Sequence, residues 1–168
     1  MRRFLLLVLL ASVCAGLARA DGAGNPAPAS SDSGEYYDKD GNPTYKIGAD
    51  GTVDWFTFIG YRMYGANCLQ CHGPDALGSS YAPSLVDSLK SLTTQQVQST
   101  IINGKRDVTA SQELVMPSFG ENKNVMCYLE PIYVYLRARS DGALGRERPV
   151  KHEPKPDGWE KKVDSCFG

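Results

Sequence analysis

The sequence predicts one mostly α-helical domain, in which the helices wrap around a single covalently bound cofactor. Two observations support this fold class. Large apolar side chains recur at spacings of three and four in three separate segments, and a single Cys-x-x-Cys-His motif directly follows the first of them. The chain has 168 residues, which is enough for one domain with a modest core.

Residues 1–20 predict a secretory signal peptide. Two arginines near the start precede an apolar run, and residues 18–20 form a cleavage site of the A-x-A type. The run has about 14 residues, fewer than the roughly 20 that a membrane-spanning helix needs. We therefore expect export to the periplasm without stable membrane insertion. A lipid anchor on Cys14 is the alternative, although Val13 stands where a lipoprotein needs a small residue.

Residues 21–42 predict a disordered leader, because Gly, Pro, Ala, Ser and Asp predominate and almost no aliphatic side chains are available to bury. From Pro43 the pattern changes. Two β-prone segments, 44–47 and 52–55, flank the turn sequence Gly-Ala-Asp-Gly and predict a small N-terminal β-hairpin. The domain itself is expected over residues 43–139.

Three helices are predicted in this domain. The first spans 55–67 and leads into the Cys-x-x-Cys-His motif. The second spans 93–102, with Thr93 or Thr94 as its cap and a glycine shortly beyond its end. The third and strongest spans 122–139, and Pro131 is expected to bend it or to start its final segment.

Residues 140–168 predict a tail that lies over the domain, since their polar, Pro-rich composition offers little core of its own. Four cysteines remain after the signal peptide is removed, and two of them belong to the Cys-x-x-Cys-His motif. In an oxidising compartment the other two, Cys127 and Cys166, are expected to form a disulfide that pins the tail. Two free thiols are the alternative.

Cys68, Cys71 and His72 form the signature of covalent haem c attachment. The thiols lie about one helical turn apart, so each can add to one vinyl group of the same porphyrin, and the His72 imidazole then falls beneath the iron as its proximal ligand. A thioredoxin-like pair would want a βαβ context, and a zinc site would want a second ligand pair. The sequence lacks the βαβ context. It also lacks a second ligand pair for zinc, because its one other histidine is His152.

An electron-carrying haem iron needs a sixth ligand that stays bound in both oxidation states, and a methionine thioether also raises the reduction potential. Met116 is the candidate, because it lies in a loop from which a ligand can be presented over the porphyrin. Met126 falls inside the third helix, where core packing is the better interpretation. His152 is flanked by charges and prolines. Met126, His152 or a five-coordinate iron remain the alternatives.

Taken together, these motifs resemble the landmarks of a class I c-type cytochrome. In chain order the landmarks are Gly60 and Tyr64 ahead of the motif, Ala82-Pro83-Ser84-Leu85, Asn103-Gly104-Lys105, Met116-Pro117-x-Phe119 and Ile132-x-x-Tyr135-Leu136. The resemblance implies the class I cytochrome c fold around one covalent haem. It also implies that the carbonyl group of Pro83 accepts a hydrogen bond from the proximal imidazole and orients it.

A narrower resemblance covers nearly the whole mature chain. The segments 50–55, 79–85, 124–128 and 151–156, together with the four cysteines, resemble the four-cysteine c-type cytochromes associated with methanol metabolism. This resemblance implies a periplasmic one-electron carrier. Such a carrier takes electrons from a quinoprotein (PQQ-dependent) methanol or alcohol dehydrogenase and passes them to a downstream cytochrome or oxidase of the respiratory chain.

Charge bears on the expected partners. The chain has 18 Lys and Arg against 19 Asp and Glu, and loss of the signal peptide leaves a mildly acidic protein. Nucleic acid is therefore not expected as a partner, and steering toward a basic docking face is expected. We expect a monomer that is not an enzyme. The alternatives are a peroxidase-like or sulfur-oxidising haem enzyme, with an open sixth site and a distal acid-base residue, and a fixed haem subunit of a dehydrogenase complex.

Overall fold

The computed structural model describes residues 26–108 and 113–168, and there the predicted mostly α fold is confirmed. The predicted signal peptide lies outside these residues. No helix in the described ranges is both long and apolar enough to cross a membrane. The helices are α1 Trp55–Asn67, α2 Leu69–His72, α3 Leu85–Ser88, α4 Thr94–Asn103, α5 Lys123–Met126, α6 Leu129–Ser140 and α7 Trp159–Phe167. The strands are β1 Ser30–Asp32, β2 Glu35–Tyr37, β3 Pro43–Thr44, β4 Lys105–Val108 and β5 Glu113–Met116.

Helix α1 has the bounds that the sequence predicts, and it crosses α6 in the centre of the domain. It begins at Trp55 because the Asp54 carboxylate accepts a hydrogen bond from the backbone N–H of Thr57 at 2.8 Å. Where the two helices cross, a β-carbon on Gly60 would lie 1.9 Å from the carbonyl oxygen of Pro131. The helices are therefore in backbone contact at this point.

The third predicted helix is two helices in the structure. Asn122 caps α5, which ends before Cys127, and α6 begins at Leu129. Pro131 lies in the first turn of α6, where its missing N–H breaks no helical hydrogen bond. The second predicted helix is confirmed as α4: Thr93 caps its start and Gly104, with φ +73°, ends it.

The N-terminal segment differs from the predicted disordered leader, residues 21–42. Residues 30–44 contain an antiparallel sheet in the order β1-β2-β3. This segment is folded because of polar contacts that its composition does not reveal. The buried carboxylate of Asp38 accepts a hydrogen bond from the buried guanidinium of Arg137 on α6 at 2.8 Å. Arg137 also donates to the Pro43 carbonyl at 2.7 Å, which ties the sheet to the core.

The predicted hairpin over 44–55 is reduced to one antiparallel bridge between Ile47 and Val53. Thr44 pairs instead with Tyr36 in β2, and Asp54 leaves the strand direction to cap α1. The pairing of Thr44 with β2 and the capping of α1 by Asp54 leave the hairpin little more than its turn.

The tail packs on the domain. The Val53 N–H donates to the Lys151 carbonyl at 3.1 Å, and the Glu153 N–H donates to the Val53 carbonyl at 2.8 Å. Helix α7 buries Trp159, whose ring meets that of Phe56 edge-on at 5.0 Å. The predicted disulfide is confirmed, and it joins Cys127, just beyond α5, to α7.

Candidate cofactor site

A cavity of about 1190 Å³ lies between α2, α4, the loop over 79–85 and the β4–β5 ribbon. We call it the cofactor cavity. It exceeds the range of about 300–1,000 Å³ that is usual for small-molecule sites. All three residues of the Cys-x-x-Cys-His motif contribute to its lining, as do Pro83 and Met116. The fold thus brings five of the predicted site residues to one cavity.

A break between two helices presents the motif. Helix α1 ends at Asn67, and the chain continues through Cys68 into the single turn of α2. The His72 N–H donates to the Cys68 carbonyl at 3.0 Å, so both motif cysteines belong to one helical turn. Neither thiol is in a disulfide, and both line the cofactor cavity. The spacing needed to join two substituents of one planar ring is therefore built into α2.

His72 is buried, and one contact determines the orientation of its ring. Its Nδ1 lies 3.1 Å from the carbonyl oxygen of Pro83. A carbonyl can only accept, so Nδ1 carries the proton and Nε2 is left as the metal-binding nitrogen. This is the arrangement that the resemblance implies for Pro83.

The loop that carries Pro83 is folded tightly over the motif. The Gly78 N–H donates to the His72 carbonyl at 2.9 Å. Gly78 has φ +88°, and a β-carbon there would lie 2.7 Å from the backbone nitrogen of Ser84. Below the motif, the buried Tyr64 hydroxyl donates to the Gly73 carbonyl, and its ring lies 5.2 Å from that of Tyr135. The Gly78 contacts hold this loop, and with it the Pro83 carbonyl, next to His72.

Met116 lies at the end of β5, opposite Lys105 in the ribbon, and contributes to the cavity lining. Gly104, at the end of α4, closely approaches this strand, since a β-carbon on it would lie 2.6 Å from the Met116 carbonyl oxygen. Among the described residues that line the cofactor cavity, Met116 alone has a thioether and His72 alone has an imidazole. The cavity therefore contains one methionine that can serve as an axial ligand.

The other two candidates for the sixth ligand lie elsewhere. Met126 lines a second cavity of about 330 Å³, together with both disulfide cysteines and Trp159. His152 stacks on the Phe58 ring with centroids 3.8 Å apart, and it does not line the cofactor cavity. The structure thus separates both residues from the Cys-x-x-Cys-His motif.

The cavity wall near the motif is uncharged. Burial, with a smaller effect of the neighbouring Cys71, raises the pKa of the Cys68 thiol to about 11. The thiol is therefore neutral at physiological pH and behaves as a small apolar group. Leucines and Phe119 extend this surface, which suits a porphyrin ring.

Sequence reasoning missed the β4–β5 ribbon, which forms part of the cavity wall. Lys105 pairs with Met116, and Asp107 pairs with Leu114; all four line the cavity. The alternation of exposed Glu113 and Val115 with half-buried Leu114 and Met116 is the period-2 signal that could have revealed the strand.

Comparisons with known proteins agree with this site. The family model described as cytochrome C oxidase, cbb3-type, subunit III, matches residues 59–136. Cytochrome c-553I of Paracoccus denitrificans is 47% identical over 136 residues, which cover 81% of this chain and 60% of that protein. Cytochrome c-555 of Methylococcus capsulatus is 33% identical over 93 residues, or 55% of this chain and 69% of that protein. The crystal structure of the c-type cytochrome XoxG from Methylobacterium extorquens AM1 matches with a TM-score of 0.78 and 49% identity, over 84% of this chain and 86% of that one.

The oriented imidazole, the two motif thiols and these relatives together define a haem-binding protein. The chain belongs to the class I c-type cytochromes. Its cofactor is one covalently bound haem c. It spans 60% of the length of the Paracoccus relative.

Proposed function

We propose that this cytochrome is a periplasmic one-electron carrier. It accepts electrons from a quinoprotein (PQQ-dependent) methanol or alcohol dehydrogenase and passes them to the respiratory chain through a downstream cytochrome or oxidase. One observation supports the carrier role most directly. A single cavity combines His72, oriented by Pro83, with the thioether of Met116.

The residues fit the haem in the following way. Cys68 and Cys71 would hold the porphyrin through thioether bonds, and His72 Nε2 and Met116 Sδ would bind its iron. The bound haem supplies an iron that cycles between the ferric and ferrous states. The soft thioether favours the ferrous state and raises the potential. The Pro83 hydrogen bond keeps the imidazole in one tautomer and increases its basicity. With His72 and Met116 both bound, the iron would have no open coordination position.

A haem enzyme needs an open sixth position and a distal acid-base group. In this cavity Met116 would occupy that position. Apart from the motif and Tyr81, the ionisable groups in the described lining are Lys105 and Asp107 on the exposed strand β4. His152, the one histidine outside the motif, is stacked on Phe58. These placements favour a carrier over a peroxidase-like or sulfur-oxidising enzyme.

The resemblance to four-cysteine cytochromes of methanol metabolism supports the choice of donor. Its segments fall in three separate parts of the described structure. Residues 79–85 form the loop that carries Pro83, and residues 124–128 include disulfide-bonded Cys127. Residues 151–156 form backbone hydrogen bonds with Val53 of the segment 50–55. The disulfide suits an oxidising compartment, which agrees with the proposed export through residues 1–20.

Stopped-flow reduction by a purified quinoprotein alcohol dehydrogenase and its alcohol tests the donor. We expect the ferrous spectrum to appear at a rate that rises with cytochrome concentration, with one electron taken up per cytochrome. Ascorbate is the control for a reducible haem, and an NAD-dependent alcohol dehydrogenase is the control for donor class. Reduction by ascorbate without reduction by the quinoprotein enzyme would refute the donor. A ferric spectrum that shifts at once with cyanide or peroxide would support an enzyme instead.

A further inference from the structure

The last two residues of α6 hold the loop that orients the proximal imidazole. We call this loop, residues 73–84 between α2 and α3, the proximal loop. The Arg139 guanidinium donates to the Asp75 carbonyl through Nη2 at 2.9 Å and through Nε at 3.3 Å. The Ser140 hydroxyl donates to the Val86 carbonyl, in α3, at 2.7 Å. One helix end therefore holds the proximal loop near its start and just beyond its end.

Arg139 is a buried cation whose partners are backbone carbonyls. The residue is 7% exposed, and it also donates to the Leu144 carbonyl at 2.7 Å and to the Tyr135 hydroxyl. Within the described ranges Arg139 forms no ion pair. The Asp75 carboxylate binds the exposed guanidinium of Arg146 instead, with 2.6 Å between Oδ2 and Nε. Burying a charge is costly unless hydrogen bonds compensate it. Here that compensation comes from the two carbonyls, and it holds them in place.

The backbone beside the Asp75 carbonyl is strained. Ala76 is fully buried and has φ +61°, in the left-handed region that a residue with a β-carbon rarely adopts. Such strain persists where surrounding contacts impose it, and it is concentrated at functional sites. On one side of Ala76 lie the hydrogen bonds from Arg139. On the other side, the Ala76 carbonyl accepts from the N–H of Leu85 at 2.9 Å and from the N–H of Val86 at 3.2 Å. These contacts hold the strained turn.

A short path connects this turn to the imidazole. Leu85, which donates to the Ala76 carbonyl, follows Pro83 by two positions, so a shift of the turn also moves Pro83. The Pro83 carbonyl oxygen lies 3.1 Å from His72 Nδ1. A shift of about 0.5 Å would lengthen this contact to a distance at which it is no longer a hydrogen bond. The orientation of His72 therefore depends on how firmly the turn is held.

We propose that Arg139 is a positioning residue for the haem iron, because its guanidinium keeps the Pro83 carbonyl within hydrogen-bond distance of His72. This role deepens the proposed function and rests on the ligation of iron by His72, which is part of it. The hydrogen bond from Nδ1 makes the imidazole more basic. A more basic ligand favours ferric iron, so a looser proximal loop would raise the reduction potential.

Hydrogen exchange of the His72 Nδ1 proton, followed by nuclear magnetic resonance in the ferrous holoprotein, tests this role. The reference is the backbone N–H of Ile132, a fully buried residue, which donates to the Tyr128 carbonyl at 2.9 Å. We expect Arg139→Gln to raise the exchange rate of the Nδ1 proton at least about tenfold more than that of the reference. A general loss of stability would raise both rates by the same factor. Equal increases would therefore overturn the proposal.

Arg146→Gln is the matched control. It removes the same kind of side chain from the same neighbour, but Arg146 is 72% exposed and binds the Asp75 carboxylate instead of the carbonyl. Because an exposed ion pair contributes little, the Nδ1 proton should exchange within about twofold of the parent rate in this variant. Equal effects of Arg139→Gln and Arg146→Gln would overturn the assignment to the carbonyl contact.

Arg139→Lys separates positioning from charge, and it also serves if Arg139→Gln does not fold. Lysine keeps the positive charge but lacks the planar fork that reaches both the Asp75 and the Leu144 carbonyls. We expect exchange of the Nδ1 proton to rise at least about threefold more than that of the Ile132 N–H. The reduction potential should also rise, since the charge is unchanged and the imidazole is less basic. An exchange rate or a potential equal to that of the parent would overturn the proposal.

The parent holoprotein separates this inference from the proposed function, and no dehydrogenase is needed. If its ferrous spectrum is not that of a low-spin, six-coordinate haem, the proposed ligation is wrong, and the carrier function and the role of Arg139 fail together. If the ligation is correct but the Arg139 variants exchange the Nδ1 proton at the parent rate, the role of Arg139 alone is wrong.

Discussion

Gly60 and Pro131 hold α1 and α6 in direct backbone contact. A β-carbon at position 60 would lie 1.9 Å from the Pro131 carbonyl oxygen and 2.6 Å from its carbonyl carbon. Neither backbone atom can move without displacing α6. We therefore expect Gly60→Ala to lower the free energy of unfolding of the holoprotein by at least about 3 kcal/mol, at the upper end of overpacking effects. Guanidinium unfolding followed by circular dichroism measures the change.

Gly65, one turn further along α1, provides the control for this prediction. Nothing lies within 4 Å of the position that a β-carbon would take there. Alanine has a higher helix propensity than glycine, so Gly65→Ala should stabilise the protein by about 0.5–1 kcal/mol. If both substitutions have the same sign, the helix contact is not the cause.

Asp38 predicts a loss of stability in acid. Burial would raise the pKa of this carboxyl group, but the Arg137 hydrogen bond and the backbone amides of Asn42 and Asp40 outweigh burial and lower it. A carboxyl group whose pKa is lower in the folded state adds stability above its unfolded pKa of about 3.9. That stability is lost as the pH falls through the folded value. We expect Asp38→Asn to cost about 3–5 kcal/mol at pH 7, because Arg137 then loses the closer of its two buried carboxylate partners. The difference from the parent should shrink below pH 3.9, which denaturant unfolding at several pH values can show.

Asp141 is the matched control, because its carboxylate also faces Arg137, but at 3.9 Å instead of 2.8 Å. Burial raises the pKa of Asp141 despite the nearby guanidinium and the Tyr45 hydroxyl. Its charge is therefore poorly compensated at neutral pH. Asp141→Asn should change stability by less than about 1 kcal/mol. A loss equal to that of Asp38→Asn would contradict the assignment of the ion pair.

Met116→Ala tests the sixth ligand. We expect the weak red absorption band of iron-methionine coordination to disappear, the reduction potential to fall, and cyanide to bind faster, since the soft thioether is lost. Met126→Ala is the control, because that side chain lies in the second cavity beside the disulfide. It should leave the spectrum unchanged and lower stability by less than the roughly 2–5 kcal/mol of a fully buried methionine, because this side chain is half-buried. The opposite pattern would assign the ligand to Met126.

The disulfide links positions 39 residues apart. The loop-entropy model gives at most about 4 kcal/mol for a loop of this length. We expect the double substitution Cys127→Ser, Cys166→Ser to lower stability by up to this amount and to leave haem attachment intact. Mass spectrometry of the mature protein checks attachment. A product without haem would show that these cysteines take part in cofactor binding.

Local signals made α1 and α4 predictable from sequence. Helix α1 has apolar residues at helical spacing, and α4 has a capping residue, Thr93, with a glycine just beyond its end. The cap of α1, Asp54, was assigned instead to a predicted strand. The N-terminal sheet was not predictable in this way. The sheet is held to the core by the contact between Asp38 and Arg137, which lie 99 positions apart in the chain. No local pattern contains that contact. Interpreting its polar composition as disorder ignored that buried charges can be paired.

The candidate site also has one part that the sequence predicts and one part that it does not. The Cys-x-x-Cys-His motif is local and indicates its chemistry by itself, whereas the ribbon opposite it depends on pairing between Lys105 and Met116, which lie 11 positions apart in the chain. Three segments that build most of the cavity, 63–74, 76–86 and 91–104, contain no Asp, Glu, Lys or Arg. Net charge averages over the whole chain and hides such a distribution.

The pairing of Val53 with residues 151–153 has a consequence for biogenesis. Val53 immediately precedes the cap of the helix that leads into the haem motif, yet its backbone partners Lys151 and Glu153 lie 98 and 100 positions further along the chain. Contacts this distant in sequence form slowly. We therefore expect both motif thiols to be accessible to a haem-attachment system before residues 151–153 and α7 complete the fold.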